Sequence, residues 1–406
     1  MRPSSRLVAI LVLGSLSALA SLAAPAARAD AWCAWPLYVQ EWGVHVFGGD
    51  GASLAADPWP DWFHTTVGGG VATAQPVREL PVDMGVRKLP VLHFYALGAP
   101  SEPIPVGVEV GFSQGPAAEW WPQVDLFRTA GDANGALAGA ARKMLLAARA
   151  ARPSHLGGPP LPADPTRQLV WTRLELTAAP THAASATSSD WIAKARELPA
   201  LWVNAASESD RFVFYEAQTA ERTPLTLRRG AAWKADRRAY ELANGGATAV
   251  HDVILVTRDG AATFVVSAAA IEPGQSLAFV LEDHAVAPER LAAETRERLR
   301  AALLDPASPL GPTLERGGAG GDCVMDRDPA IPFERASGHH LYRGEVDLVL
   351  GAWGARFFDQ PGTTVVYRED EALLDEVMPL SIYTSMYTYA VLSRAGLALW
   401  QPVRLP

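Results

Sequence analysis

Apolar and polar positions alternate most strictly between residues 86 and 124. Ile104, Val106, Val108, Val110 and Phe112 fall on one side of an extended segment, and Pro105, Gly107, Glu109 and Gly111 on the other. This period of two marks a half-buried strand. Residues 89–97 form an aromatic and aliphatic run closed by Gly98, Pro100 and Pro103, so the two segments are predicted to be neighbouring antiparallel strands joined by a short loop. Their exit is a loop over 113–122 that carries Glu119, Trp120 and Trp121. Upstream, residues 37–47 (LYVQEWGVHVF) have strand composition and stop at Gly48-Gly49-Asp50-Gly51. Alternation puts Trp42, Val44 and Val46 on one side of that strand and Glu41, Gly43 and His45 on the other. One face is apolar, and the other carries an acid and an imidazole.

The same patterning continues along the chain. Residues 52–84 are rich in Pro, Gly and aromatics and predict a long irregular connection. Residues 129–166 are an Ala, Gly and Pro-rich insertion, with a helix over 136–151 opened by Asp132 or Asn134 and closed near Pro153. Strands follow at 169–176 and 212–216, and then a meander from 223 to 282 punctuated by Asn244-Gly245-Gly246, Asp259-Gly260 and Pro273-Gly274. Asp-Gly between two apolar runs is a strong hairpin signal. Residues 288–304 predict an amphipathic helix with Leu291, Leu299, Ala302 and Leu303 inward. A Gly and Pro linker (305–321), a helix over 345–358, a strand at 363–367 and one or two final strands within 378–399 complete the chain. Short strands at this spacing point to a sandwich rather than a βαβ array. The expected class is mainly β: sandwich-like antiparallel sheets with a few accessory α-helices. Five regions are expected, at 1–29, 30–128, 129–166, 167–284 and 285–406.

Composition narrows the class of object. Hydrophobic residues make up 49% and charged residues 19% of 406 positions, which suits a folded chain with ample core. A formal charge of −9 with no basic stripe argues against nucleic acid as a partner. Two arginines within residues 1–6, an apolar run over 7–24 and Ala27-Arg28-Ala29 predict a signal peptide cleaved to a mature start near Asp30. Gly14, Ser15, Ser17 and Ser21 dilute the run, and no other stretch approaches spanning length. The expected location is therefore the periplasm, the outer-membrane surface or the extracellular space, with no membrane span after cleavage. Export and a count of two cysteines predict a disulfide between Cys33 and Cys323. It would close nearly the whole mature chain, worth up to about 5 kcal/mol in the chain-entropy picture.

Glu41-Trp42-Gly43, the Gly-Asp-Gly turn after it, Asp61-Trp62-Phe63, the strand ending at Tyr95 and Glu119-Trp120-Trp121-Pro122 occur in the order seen in an uncharacterised family of exported bacterial proteins, which this chain resembles. The family hallmark is Glu-Trp-Gly-Thr-Phe-Thr near the mature N-terminus; this chain has Val44, His45 and Val46 in place of Thr-Phe-Thr. The resemblance returns at residues 211–215, at Leu341-Tyr342, Glu345, Trp353, Phe357-Phe358 and 362–367, and at Met378-Pro379-Leu380. It implies a shared secreted architecture and no particular reaction.

Signatures of common chemistries are absent: no Gly-x-Ser-x-Gly, His-Glu-x-x-His, P-loop, Cys-x-x-Cys or dinucleotide fingerprint occurs. Glu41 and Glu119, each followed by tryptophan, are the candidate acid pair of a carbohydrate-active hydrolase, which needs two carboxylates about 5 to 9 Å apart. Trp42, His45, Trp62, Trp120 and Trp121, with Trp59, are candidate ligand-binding residues, because exposed coplanar indoles stack on sugars. Among His45, His64, His93, His339 and His340 only the last two are adjacent, and on an extended segment they should point apart, so no metal site and no cofactor is expected. Asp322, Asp326, Asp328 and Glu334 miss the spacing of a calcium loop. A binding or structural protein of the cell envelope, with a glycan or another envelope component as partner, is the favoured expectation, and the hydrolase is the alternative.

Overall fold

The computed structural model of the chain describes residues 33–53, 60–65, 85–87, 91–96, 100–115, 117–124, 168–187, 189–232, 234, 237–304, 324–325, 333–335, 339–384 and 388–402. The expected signal peptide (1–29), the expected 129–166 insertion with its helix and the expected 305–321 linker lie outside these residues. In chain order the strands are β1 (Cys33–Phe47), β2 (His64–Thr65), β3 (Gly85–Arg87), β4 (Val91–Ala96), β5 (Ile104–Gly111), β6 (Ala117–Trp121), β7 (Gln168–Thr177), β8 (Trp202–Ala205), β9 (Glu208–Asp210) and β10 (Val213–Thr219). They continue with β11 (Leu225–Arg229), β12 (Ala239–Asn244), β13 (Val250–Asp259), β14 (Ala262–Ile271), β15 (Ser276–Val280), β16 (Val324–Met325), β17 (Phe333–Arg335), β18 (Gly362–Glu369), β19 (Leu380–Thr384) and β20 (Thr388–Trp400). Among the described residues the α-helices are α1 (Asp190–Glu197), α2 (Arg298–Leu303), α3 (Arg343–Phe358) and α4 (Glu371–Val377). The protein is mainly β, as its patterning predicts.

The backbone of the fold is one large sheet in the order β14-β13-β18-β20-β1-β4-β10-β6-β2. Its centre is a parallel pair made by the first and last strands, in register from Trp35 opposite Thr388 to Phe47 opposite Trp400. Strands from the N-terminal, middle and C-terminal regions thus share one sheet. On one face lie the helices: Trp42, Val44 and Val46 of β1 and Leu397 and Leu399 of β20 pack with Ile192 of α1, Leu299 of α2 and Val346, Val349, Trp353 and Phe357 of α3. On the other face lie two smaller sheets. One, in the order β19-β5-β7-β8-β9, buries Val106, Val108, Val110 and Trp171 against Leu37, Val39 and Leu392. The other, β11-β12-β15, buries Leu225, Leu242 and Phe279 against Phe47, Leu255 and Trp400. Helices, sheet and paired small sheets therefore form three layers, each element burying its apolar side.

Several predicted elements appear where expected. Asp259-Gly260 turns β13 into β14, with Asp259 opposite Ala262 and Gly260 at φ +60°, the left-handed conformation that favours glycine there. The 288–304 segment is helical in three pieces, a 3₁₀ turn at Pro288–Arg290, a π turn at Ala293–Glu297 and α2, with Leu299 and Leu303 buried. One expected pairing is wrong. β4 and β5 are not neighbours: β4 pairs with β1 and β10 in the large sheet, and β5 pairs with β19 and β7 in the five-stranded one. Both strands bury residues of both parities in part, so alternation fixes which side faces a core but not which sheet the strand joins. The proline-bearing connection carries the chain from one layer to the next instead of turning it back as a hairpin.

Candidate functional site

The side of β1 that faces the small sheets runs Leu37, Val39, Glu41, Gly43, His45, Phe47. Leu37 and Val39 belong to the core of the five-stranded sheet and Phe47 to that of the three-stranded sheet. The polar residues fall between the two. β20 repeats the pattern: Ala390 and Leu392 in one core, Ala398 and Trp400 in the other, and Arg394 and Gly396 between, opposite Glu41 and Gly43. A polar seam thus crosses the middle of the sheet where the two apolar cores part.

At one end of the seam Glu41 is bonded through both oxygens to the Arg394 guanidinium, and Tyr215 Oη donates to Glu41 Oε1 at 2.5 Å. Arg394 also donates to Asp375 Oδ1 at 3.0 Å and to the Met378 carbonyl at 2.9 Å. Glu41 and Arg394 are buried, at 4% and 3% exposure. Burial opposes the charge on Arg394, but the charge and hydrogen bonds of Glu41 outweigh it and hold the guanidinium above its ordinary pKa. Burial first, then the Glu41 charge, pushes the Tyr215 phenol well above its usual range. At the other end His45 Nδ1 stands 3.6 Å from both Glu221 Oε2 and Glu369 Oε1, and Nε2 lies 2.8 Å from Ser53 Oγ. Between the ends is a pocket whose lining includes Glu41, Gly43, His45, Glu369, Leu374 and Gly396. A Cβ on Gly396 would lie 2.7 Å from Leu374 Cδ2 and 2.9 Å from Glu369 Oε2, so only glycine lets these side chains approach the strand.

A second polar cluster lies on the helix side. Glu345, in the first turn of α3, accepts from Trp42 Nε1 at 2.8 Å and from Tyr95 Oη at 2.5 Å, and its Oε1 is 2.9 Å from His93 Nδ1. Glu345 and His93 are fully buried. Burial, followed by the Glu345 charge, raises the Tyr95 phenol well above its ordinary pKa. Next to it Gln40 Oε1 accepts the Tyr342 backbone N–H at 2.6 Å. Every side chain in this cluster faces packed protein, so it pins the helix to the sheet rather than presenting a site.

The expected acid pair is not assembled. Glu119 is on β6, and β4 and β10 separate β6 from β1, which sets the strands carrying Glu41 and Glu119 about 14 Å apart. Glu41 is moreover consumed by Arg394. Glu119 is half-buried and desolvation raises its carboxyl to about 7. Nor do the tryptophans form an exposed platform. Trp42, Trp120 and Trp121 are core residues. Trp62 is half-buried, edge-on to Trp121 at 4.6 Å and donating to the Ala186 carbonyl. Trp59 and Cys323 lie outside the described residues, as do Asp322, Asp326 and Asp328. Of the sequence-derived candidates among the described residues, only Glu41 and His45 reach the seam.

The histidines are dispersed. His64 is 2.8 Å from Glu208 Oε1 and stacks on Trp121 at 5.5 Å. His339 and His340 do not point apart as expected: their rings are 4.5 Å apart, and burial lowers His339 to about 4. Among the described residues no group of three or more His, Cys, Asp or Glu side chains is arranged to hold a metal ion, and no helix is long and apolar enough to cross a membrane. Residues that sequence reasoning missed include Arg394, Glu369, Glu221 and Tyr215. Arg394 carried a signal, a lone charge within the apolar run of β20, whereas nothing local marked the others.

No family model and no curated protein matches the chain. Among solved structures, the Fcho1 Mu homology domain of Danio rerio with bound Eps15 peptide is similar to it at a TM-score of 0.25 and 11% identity, over 90% of this chain and 95% of that one.

Proposed function

We propose that this chain is an exported binding protein of the cell envelope, that it belongs with the exported bacterial family it resembles, and that the pocket between Glu41 and His45 receives its ligand. The observation that carries the binding reading is the seam itself. Gly43 and Gly396 face each other in the middle of the first and last strands, with carboxylates and an imidazole around the space they leave. A purely structural sheet would fill that position with apolar side chains, as both strands do on either side of it. The hydrolase alternative has lost its second carboxylate. The glycan expectation has lost the stacking surface of Trp42, Trp120 and Trp121, and among the described residues no Trp, Tyr or Phe lines the pocket. A small polar ligand suits the pocket better than a sugar chain. Screening the mature protein by thermal shift against monosaccharides, amino acids, small amines and small carboxylates is expected to give a stabilising hit lost on Glu369→Gln, while chromogenic glycosides stay intact. Uniform silence in the screen would remove the binding reading.

Export and the disulfide belong to the same proposal. The sequence carries two cysteines, Cys33 and Cys323, and in an exported chain such a pair is expected to be oxidised to one disulfide. Intact-mass analysis of protein secreted from a bacterial host is expected to show a start near Asp30 and no alkylation until reductant is added. A retained leader, or two thiols alkylated without reductant, would refute the corresponding half.

A further inference from the structure

The pocket in the seam is smaller than the ligands it would receive. Its enclosed space has room for about one water-sized group, so an occupant of several heavy atoms enters only if a wall moves. Two walls belong to the central strands, through Gly43 of β1 and Gly396 of β20 among others. These strands are paired in register along their shared length and cannot part without breaking the large sheet. The remaining wall is Leu374 and Met378, from α4 and its C-cap, with Glu369 just ahead of the helix. Leu374 is the plug. A Cβ on Gly396 would lie 2.7 Å from Leu374 Cδ2, so this side chain sits directly over the gap the glycine leaves.

α4 is fastened differently at its two ends. At the C-terminal end Arg394, whose side chain is 2% exposed, donates to Asp375 Oδ1 at 3.0 Å and to the Met378 carbonyl at 2.9 Å. The backbone N–H groups of Ser113 and Gly111 donate to the Val377 and Pro379 carbonyls at 3.0 and 2.9 Å. At the N-terminal end Asp370 caps the helix by accepting the Ala372 N–H at 2.8 Å, and its other oxygen lies 3.0 Å from His251 Nε2. The His251 and Asp370 side chains are 25% and 30% exposed, so water competes for this contact. The strand that leads into α4 is also at its last rungs. β18 pairs with β20 as far as Arg368 opposite Leu397, and Glu369 lies opposite Val250 of β13, beyond an irregularity in the β13–β18 register. Asp252, within that irregularity, is a non-glycine residue at φ +50°. A bulge interrupts the ladder, and the left-handed backbone strains it.

Resting on the binding reading above, we infer that α4 is the gate of the seam pocket. It opens from its N-terminal end about the Val377–Met378 joint, lifting Leu374 off Gly396 and carrying Glu369 outward, and the His251–Asp370 pair is its latch. A ligand then enters without parting β1 from β20. Closed, the gate covers a polar seam that both neighbouring cores leave unfilled.

The test is amide hydrogen exchange of the mature protein near neutral pH, read by peptide mass analysis, which needs no ligand. The amides of α4 are expected to exchange at least about a hundredfold faster than those of β1 and β20, through local opening of the folded molecule. His251→Ala, which removes the latch without altering the helix, is expected to raise α4 exchange by about three- to fivefold and leave β1 and β20 unchanged. Asp370→Ser keeps a side-chain cap but loses the charged partner of His251. It is expected to act in the same direction and serves if His251→Ala fails to fold. Protection of α4 equal to that of β20 would overturn the gate. So would α4 exchange indifferent to both substitutions, or a rise shared equally by α4 and β20, which marks global loosening. A stabilising hit in the ligand screen with α4 fully protected would overturn the gate and leave the binding reading standing. Silence in the screen with α4 opening as expected would overturn the binding reading and leave the latch standing.

Discussion

Arg394→Met is expected to lower the unfolding free energy by about 3–5 kcal/mol, the range for removing one partner of a buried ion pair. The guanidinium is the common partner of Glu41, Asp375 and the Met378 carbonyl, so it ties β1, β20 and the end of α4 together at the centre of the large sheet. Methionine supplies the volume without the charge. The Glu41 carboxylate then stays buried with Tyr215 Oη as its remaining donor, and the cost of an uncompensated charge dominates the loss of the bonds themselves. The double variant Glu41→Met with Arg394→Met is expected to recover much of the loss, because two apolar side chains leave nothing to desolvate. Urea denaturation of wild type, both single variants and the double variant gives the coupling directly. A single Arg394→Met variant within about 1 kcal/mol of wild type would show that the seam is wetter than its burial implies.

The legible part of this fold is the part that alternation can carry. The division of β1 into Trp42, Val44 and Val46 against Glu41, Gly43 and His45 holds in the structure, because the pleat alone decides it. The Asp259-Gly260 hairpin and α3 were legible for the same local reason. The site was only half legible. Alternation places Glu41 and His45 on one polar face, but Arg394, 353 residues from Glu41, meets it through a parallel pairing of β1 with β20 that no local pattern encodes. Trp120 and Trp121 misled for the converse reason. Paired indoles beside a glutamate look alike whether they stack on a ligand or, as here, fill the two cores on either side of one sheet.

Glu345→Ala is expected to be the other strongly destabilising change, by about 3–5 kcal/mol. Sequence position alone would make Glu345 an ordinary first-turn acid, favourable near the positive end of a helix by less than about 1 kcal/mol. Its burial changes the magnitude. Trp42 Nε1 and Tyr95 Oη both donate to it from the sheet, and His93 lies beside it, so alanine would strand two buried donors and leave a void at the same point. Glu345→Gln keeps the volume and one acceptor oxygen but turns an N–H₂ toward one of the donors, so it should fall between wild type and alanine. The two substitutions therefore separate packing from hydrogen bonding. Because Trp42 reports on the cluster, Glu345→Ala should also change its near-ultraviolet circular dichroism in the folded baseline, whereas Arg394→Met, acting on the opposite face of β1, should leave that signal nearly intact. Equal spectral effects from the two variants would mean that the faces of the central sheet do not respond independently, and that the seam and the helix pin form one cooperative unit.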